Sequence, residues 1–450
     1  MDPRVREDDE ELFLVGFASS NDCSGQQCAF AGTTRVKGVV RVSGDGGNYR
    51  NTTTSATLPF MSAAAEIHSP PPIPAFRLSS FYFAYYAALG AFTPYWALFL
   101  KHRGMDVAAI SILMSLWYAT RIIAPTTWTT IAARSPRPIR WLRIGCALTL
   151  ASFAAFVLPM QFTGLFAGMV LFCFAYNAVM PQFEAITLSH LPGRSERYGR
   201  IRVWGSIGFI LVVAGFGPLL DGIGIGALPW LMLPLFLMLL GSAAINDYAR
   251  AVDERVEAGD AFWQRLKRPE VLAFFAIAFL TQISFGPYYT FFSIYMDGHG
   301  YTTTQIGGYW TIGVVAEIVV FFLAARIFAR WKASTVLVAA LLSAALRWWV
   351  IALFPDNVWL MSLAQVTHAL NFAGFFAAAM HLLAQYFPGR MNGHGQGVFY
   401  GFSSGIGGVV GALLAGQLWT IGGGRLAFLV GGGFCLVAAA MAATLLKPRA

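Results

Sequence analysis

The chain reads as an all-α polytopic membrane protein, twelve helices in two pseudo-symmetric halves of six. Three observations predict this. Of 450 residues, 57% are hydrophobic and only 12% charged, where a water-soluble chain carries about 25% charged residues. From Arg77 onward the apolar runs repeatedly reach the roughly 20 residues that cross a bilayer core. One constant offset then superposes the punctuation of the two halves, as an internal duplication requires.

Residues 1–75 stand apart. They are polar, rich in Gly, Ser and Thr, and end in Pro70, Pro71, Pro72 and Pro74. Such a composition predicts a disordered extension. No basic run precedes an apolar core there, so it is not a secretory signal. A start at Met61, with residues 1–60 an over-extended reading frame, is the sharper expectation; a purified-protein peptide from before Met61 excludes it.

The spans follow at 77–101, 108–132, 138–158, 162–189, 199–220 and 228–247, then 270–297, 304–330, 334–354, 357–387, 394–419 and 425–446. Their connections alternate in charge. One set carries Arg134, Arg137, Arg140 and Arg143, then Arg194, Arg197 and Arg200, then Arg326, Arg330 and Lys332; the other holds only Lys101, Arg103 and Arg425. Positive charge stays on the cytoplasmic side, which puts the first set and both termini there. The longest and most charged connection, 248–269, divides a first half (76–247) from a second (270–447) as a cytoplasmic linker. A surface helix is expected in it around Trp263 and Leu266.

The duplication is ungapped. A shift of 196 places Gly90 on Gly286, Gly104 on Gly300, Gly199 on Gly395 and Gly205 on Gly401. The turn Pro192-Gly193-Arg194 falls on Pro388-Gly389-Arg390, and Arg121 falls on Glu317. Parallel repeats of this kind place a solute site near the midplane between the halves.

The net charge of +9 sits in short loops rather than on a soluble basic face, which argues against nucleic acid. The five cysteines, Cys23, Cys28, Cys146, Cys173 and Cys435, have no zinc or redox spacing. No metal or cofactor is expected. No nucleophile–base set or Walker lysine lies in the glycine-rich runs, which argues against an enzyme.

Charges within the spans are costly in lipid and therefore paired or at work. Glu184 closes the fourth span and Arg202 opens the fifth; as a pair they clamp two helices, or they bind solute. Arg121, Glu317 and Arg347 lie deeper in theirs. Glu317 with Arg347 reads as a salt bridge or as a site whose proton affinity changes with conformation. Tyr85, Tyr86, Tyr288 and Tyr289 flank the paired glycines. Gly205, Gly208, Gly215, Gly401, Gly405, Gly408 and Gly411 are expected to let helices approach closely.

From about Phe76 to Lys447 the chain resembles the major facilitator superfamily, within it the lactose permease branch and more closely the 3-phenylpropionate permeases. The likeness is carried by Gly90-Ala91-Phe92-Thr93-Pro94-Tyr95-Trp96; by Phe183-Glu184-Ala185 with Tyr198-Gly199-Arg200-Ile201-Arg202; by Gly313-Val314-Val315-Ala316-Glu317; and by Arg347 and His368. It implies that Glu184 and Arg202 contact solute and that Arg347 and His368 take part in proton coupling. The chain departs from the lactose type at Asn371, Gln365 and Phe209, and in a seventh helix without buried aspartates. That leaves Glu317 as the expected proton carrier.

The expected function is uptake of a small organic solute, first an aromatic or other small monocarboxylate, together with protons. Arg121, Glu184, Arg202, Tyr86 and Asn371 are the solute-binding candidates; Glu317, Arg347 and His368 couple the proton. A sugar or nucleoside symporter is the alternative within the class, and a non-transporting membrane sensor the one outside it. The protein is expected in the bacterial inner membrane as a monomer.

Overall fold

The computed structural model describes residues 39–40, 52–53, 73–191, 197–248, 259–389 and 391–446. The extension expected to be disordered, including Met61, thus lies outside the described residues apart from a two-residue strand pair, β1 (Val39–Val40) with β2 (Thr52–Thr53). Every other described element is a helix.

The helices are α1 (Ala75–His102), α2 (Val107–Ala133), α3 (Pro138–Ala154), α4 (Phe162–Ser189), α5 (Tyr198–Ile223) and α6 (Leu228–Ile245). A short α7 (Asp260–Leu266) precedes α8 (Pro269–Ser284), α9 (Gly286–Gly298), α10 (Thr303–Arg330), α11 (Ala333–Leu353) and α12 (Val358–Val366). The chain ends in α13 (Phe375–Tyr386), α14 (Met391–Val398) and α15 (Gly407–Leu445).

Ten helical stretches among the described residues are long and apolar enough to cross a membrane, against twelve expected. The difference has two sources. Met391–Leu445 is one stretch by hydrogen bonding, yet Gly422 and Gly423 inside it are not helical, and Gly423 takes a φ of +69°. α1, whose tyrosines and Pro94 lower its mean hydropathy, is not among the ten. The expected seventh span is bent rather than straight: Phe285 separates α8 from α9, whose first turn holds Pro287. Proline fits there because the first turn has no intrahelical acceptor to lose.

Local chemistry sets the ends. Asp106 accepts from Ala109 N at 2.7 Å to start α2, and Asn357 from Leu360 N at 3.0 Å to start α12. Thr302 and Gln305 form a reciprocal capping box on α10. Gly104 and Gly300, equivalent in the repeat, follow α1 and α9 with φ of +79° and +82°, a conformation that suits glycine.

α1 packs on α5 and α6, α2 on α4, and α3 on α4 and α6; later in the chain α8, α9 and α11 pack on α15. Contacts between the two sets run through α5 with α10, α2 with α15, and α1 with α9. The repeat is visible in the packing. A methyl group at Gly90 would strike the α5 backbone at Phe209 O, 2.7 Å away, and one at Gly286 would strike the α15 backbone at Gly411. Gly205, Gly208, Gly405, Gly408 and Gly411 also face close neighbours, but Gly215 and Gly401 face open space, against the expectation for those two. The surface helix is α7: Phe262 is buried and stacks near Phe387, Arg265 Nη1 donates to Tyr386 O at 3.2 Å, and Trp263 stays exposed.

Candidate functional site

α4 and α5 bring Glu184 and Arg202 toward the same part of α1, but not into a pair. Glu184 Oε2 accepts from Tyr82 at 3.0 Å and from Tyr198 at 2.8 Å. Arg202 lies face-on over the Tyr86 ring at 3.9 Å and reaches Tyr82 at 5.4 Å. Among the described residues no acid lies within 4.0 Å of Arg202, and its guanidinium makes no hydrogen bond. The clamping ion pair is thus replaced by two tyrosine-held groups. Both tyrosine hydroxyls are spent on the carboxylate, while the arginine N–H fork stays open. The half-buried guanidinium is stabilised by the ring quadrupole instead.

Helical spacing makes this arrangement. Tyr82 and Tyr86 are four apart on α1, as Tyr198 and Arg202 are on α5, so each couple shares a face. Gly205 opens the space: a methyl group there would lie 2.7 Å from the Tyr86 ring and 2.8 Å from Arg202 Nη1. Tyr86, partly exposed on α1, thus lies between the Arg202 guanidinium and the Gly205 backbone. Arg121 is exposed, 5.7 Å from the Trp117 ring centre. Tyr400 is 45% exposed. Sequence reasoning missed Tyr82, Tyr198 and Tyr400. The four-residue spacing could have found the first two; Tyr400 lies far along the chain and carries no local signal.

The second cluster also departs from the expected Glu317–Arg347 bridge. Arg347, 1% exposed, contacts His368 Nδ1 through Nη1 at 2.8 Å and donates from Nη2 to Gln365 Oε1 at 2.7 Å. Tyr288 donates to the same Gln365 oxygen at 3.0 Å. Arg347 also stacks over Tyr288 at 4.2 Å and Trp348 at 4.7 Å. A buried guanidinium needs such partners, since desolvation is otherwise uncompensated. His368 Nε2 stands 3.9 Å from Glu317 Oε2. Because an arginine only donates, His368 Nδ1 is the acceptor, and its proton sits on Nε2 facing Glu317. The order is therefore Gln365, Arg347, His368, Glu317.

Asn371 lies in a π-helical turn, Leu370–Gly374, is 1% exposed, and neither of its amide atoms has a hydrogen-bond partner. Ser403, in a second such turn at Phe399–Ile406, is equally buried and unpartnered. His381 stacks on Phe328 at 4.4 Å, a packing role. Among the described residues no group of His, Cys, Asp or Glu could hold a metal ion.

Apolar helices of spanning length that enclose tyrosine-held charges define an integral membrane protein. Residues 75–430 match the model of the MFS_1-like family, and the chain belongs to that family. It is similar to the probable 3-phenylpropionic acid transporter of Escherichia coli (strain K12), at 28% identity over 67% of this chain and 80% of the relative. It is also similar to the maltose permease of Geobacillus stearothermophilus, at 25% identity over 82% and 93%. In fold it matches the crystal structure of the nucleoside transporter NupG, with a TM-score of 0.74 over 83% of this chain and 99% of that one, at 15% identity. The protein is a transporter of the major facilitator type and not an enzyme.

Proposed function

We propose that the protein is a proton symporter that imports a small monocarboxylate with an aromatic body. The carrying observation is the open guanidinium fork of Arg202, laid flat on Tyr86 at 3.9 Å. A planar fork without a protein acceptor suits bidentate capture of a carboxylate, and the partly exposed Tyr86 ring suits an aromatic neighbour. The relative named for 3-phenylpropionic acid supports the same chemistry. Arg121 adds a second cation around Tyr86, and Asn371 is held in reserve for a conformation that exposes it.

Glu317 carries the proton in this reading. Its side chain is 20% exposed, where Arg347 and His368 are buried. His368 positions it: held neutral by the Arg347 donor at Nδ1, it offers Nε2–H to an ionised Glu317. Tightening of the 3.9 Å gap favours the carboxylate and releases the proton; widening favours rebinding. The proposal includes twelve spans in two six-helix halves, divided by the linker at 248–269. It places the protein as a monomer in the bacterial inner membrane, both termini cytoplasmic.

A sugar or nucleoside is the second reading, favoured by Glu184: a carboxylate held by two phenols can accept from solute hydroxyls as well. Proteoliposomes under an imposed pH gradient test both, with labelled 3-phenylpropionate, maltose and uridine. Accumulation of the acid alone supports the first reading; accumulation of maltose or uridine and not the acid replaces it with the second.

A further inference from the structure

The site leaves unexplained a set of polar contacts at the opposite end of the helices from the basic loops. Lys101 Nζ, near the end of α1, meets Asp297 Oδ2, near the end of α9, at 2.7 Å. The two residues are 196 apart, so they are equivalent positions of the internal repeat. A contact between equivalent positions lies on the axis that relates them. There, one half must part from the other.

The second contact is between α5 and α10. Asp221, in the last turn of α5, receives Thr303 N at 2.8 Å, Thr303 Oγ1 at 2.5 Å and Thr304 N at 3.1 Å. Thr303 Oγ1 also reaches Gly217 O at 2.8 Å, and a methyl group at Gly217 would come within 2.7 Å of the Thr304 Cα. The first N–H groups of a helix have no intrahelical acceptor and carry the positive end of its dipole. α10 has its own Thr302 cap, yet two further donors are taken by a carboxylate from the earlier half of the chain. Among the described residues the repeat-equivalent interface, α2 with α15, has no such device. Asp106 caps α2 from within, and the close approaches there are Ser111 against Gly416 and Tyr118 against Gly408.

We propose that Asp221 on the α10 N-terminus and the Lys101–Asp297 pair form a two-part latch that closes this end of the transporter and must break in every transport cycle. Both parts are polar and solvent-exposed; Lys101 and Asp297 side chains are 48% and 43% exposed. Water can replace their bonds at small cost, so they open reversibly, where an apolar seal would resist. The latch rests on family membership alone and is independent of which solute is carried.

The test needs no solute. Spin labels at Ile223→Cys and Trp359→Cys, exposed at this end on either side of the interface, are placed in the full chain with Cys23 and Cys28 changed to Ser. Their distance distribution is read in lipid nanodiscs by pulsed dipolar spectroscopy. Asp221→Asn keeps the shape and one acceptor oxygen and removes the charge; it should raise the separated population about two- to fivefold, the usual weight of an anion at a helix N-terminus. Lys101→Asp should also raise it, and adding Asp297→Lys should restore the parent distribution by reversing the pair. Unchanged distributions in Asp221→Asn and Lys101→Asp overturn the latch, as does failure of the reversed pair to restore closure. Should Asp221→Asn fail to insert, the charge reversal decides alone.

Discussion

Gly205→Ala separates solute binding from folding because the two effects have opposite signs. Gly205 is helical and buried in α5. As a helix residue, alanine is favoured over glycine by about 1 kcal/mol. As a neighbour, its methyl group would sit 2.7 Å from Tyr86 and 2.8 Å from Arg202 Nη1. Neither distance is a tolerable carbon contact, yet both partners are movable side chains, so the stack gives way rather than the helix. The 3.9 Å cation–π contact is worth about 0.5–2 kcal/mol, and the displaced fork loses its aim at the solute. Affinity for 3-phenylpropionate should therefore fall about 3–30-fold, while the melting temperature of the purified protein stays level or rises. Calorimetric titration in nanodiscs reads the first and differential scanning fluorimetry the second. Unchanged affinity with a normal melting temperature would show that the Arg202–Tyr86 stack takes no part in binding.

Other substitutions probe separate parts of the argument. Glu317→Gln should abolish uphill uptake in proteoliposomes and leave solute exchange running; surviving accumulation would remove the proton from Glu317. Arg202→Lys keeps the charge and loses the fork, and should weaken binding about tenfold or more, read by the same titration. Gln365→Leu removes the oxygen shared by Arg347 and Tyr288; leaving a buried charge short of an acceptor costs about 1–3 kcal/mol, which a lowered melting temperature reports. Gly286→Ala drives a methyl group into the Gly411 backbone and should destabilise strongly, whereas Gly215→Ala, with nothing within 4 Å, should leave the melting temperature level or raised.

Much was legible before any coordinates. The membrane scaffold, the constant offset of 196 and the identity of the ionisable residues all follow from order along the chain, because hydrophobic length and helical punctuation are local properties. Gly104 and Gly300 adopt matching left-handed turns, as their equivalence predicted. What the order of residues leaves open is which charge meets which. Glu184 and Arg202 are eighteen residues apart and of opposite sign, yet the carboxylate goes to Tyr82 and Tyr198 and the guanidinium to Tyr86. Arg347 passes over Glu317 for His368 and Gln365. Spanning helices are nearly rigid rods, so the side chains that meet are fixed by how each rod is rotated and how deep it sits. Those two quantities come from packing at positions such as Gly90, Gly205 and Gly286, where the missing side chain lets one backbone approach another. Lys101 and Asp297 make the same point: their equivalence is written in the sequence, but their 2.7 Å contact exists only because the folded halves close at that end.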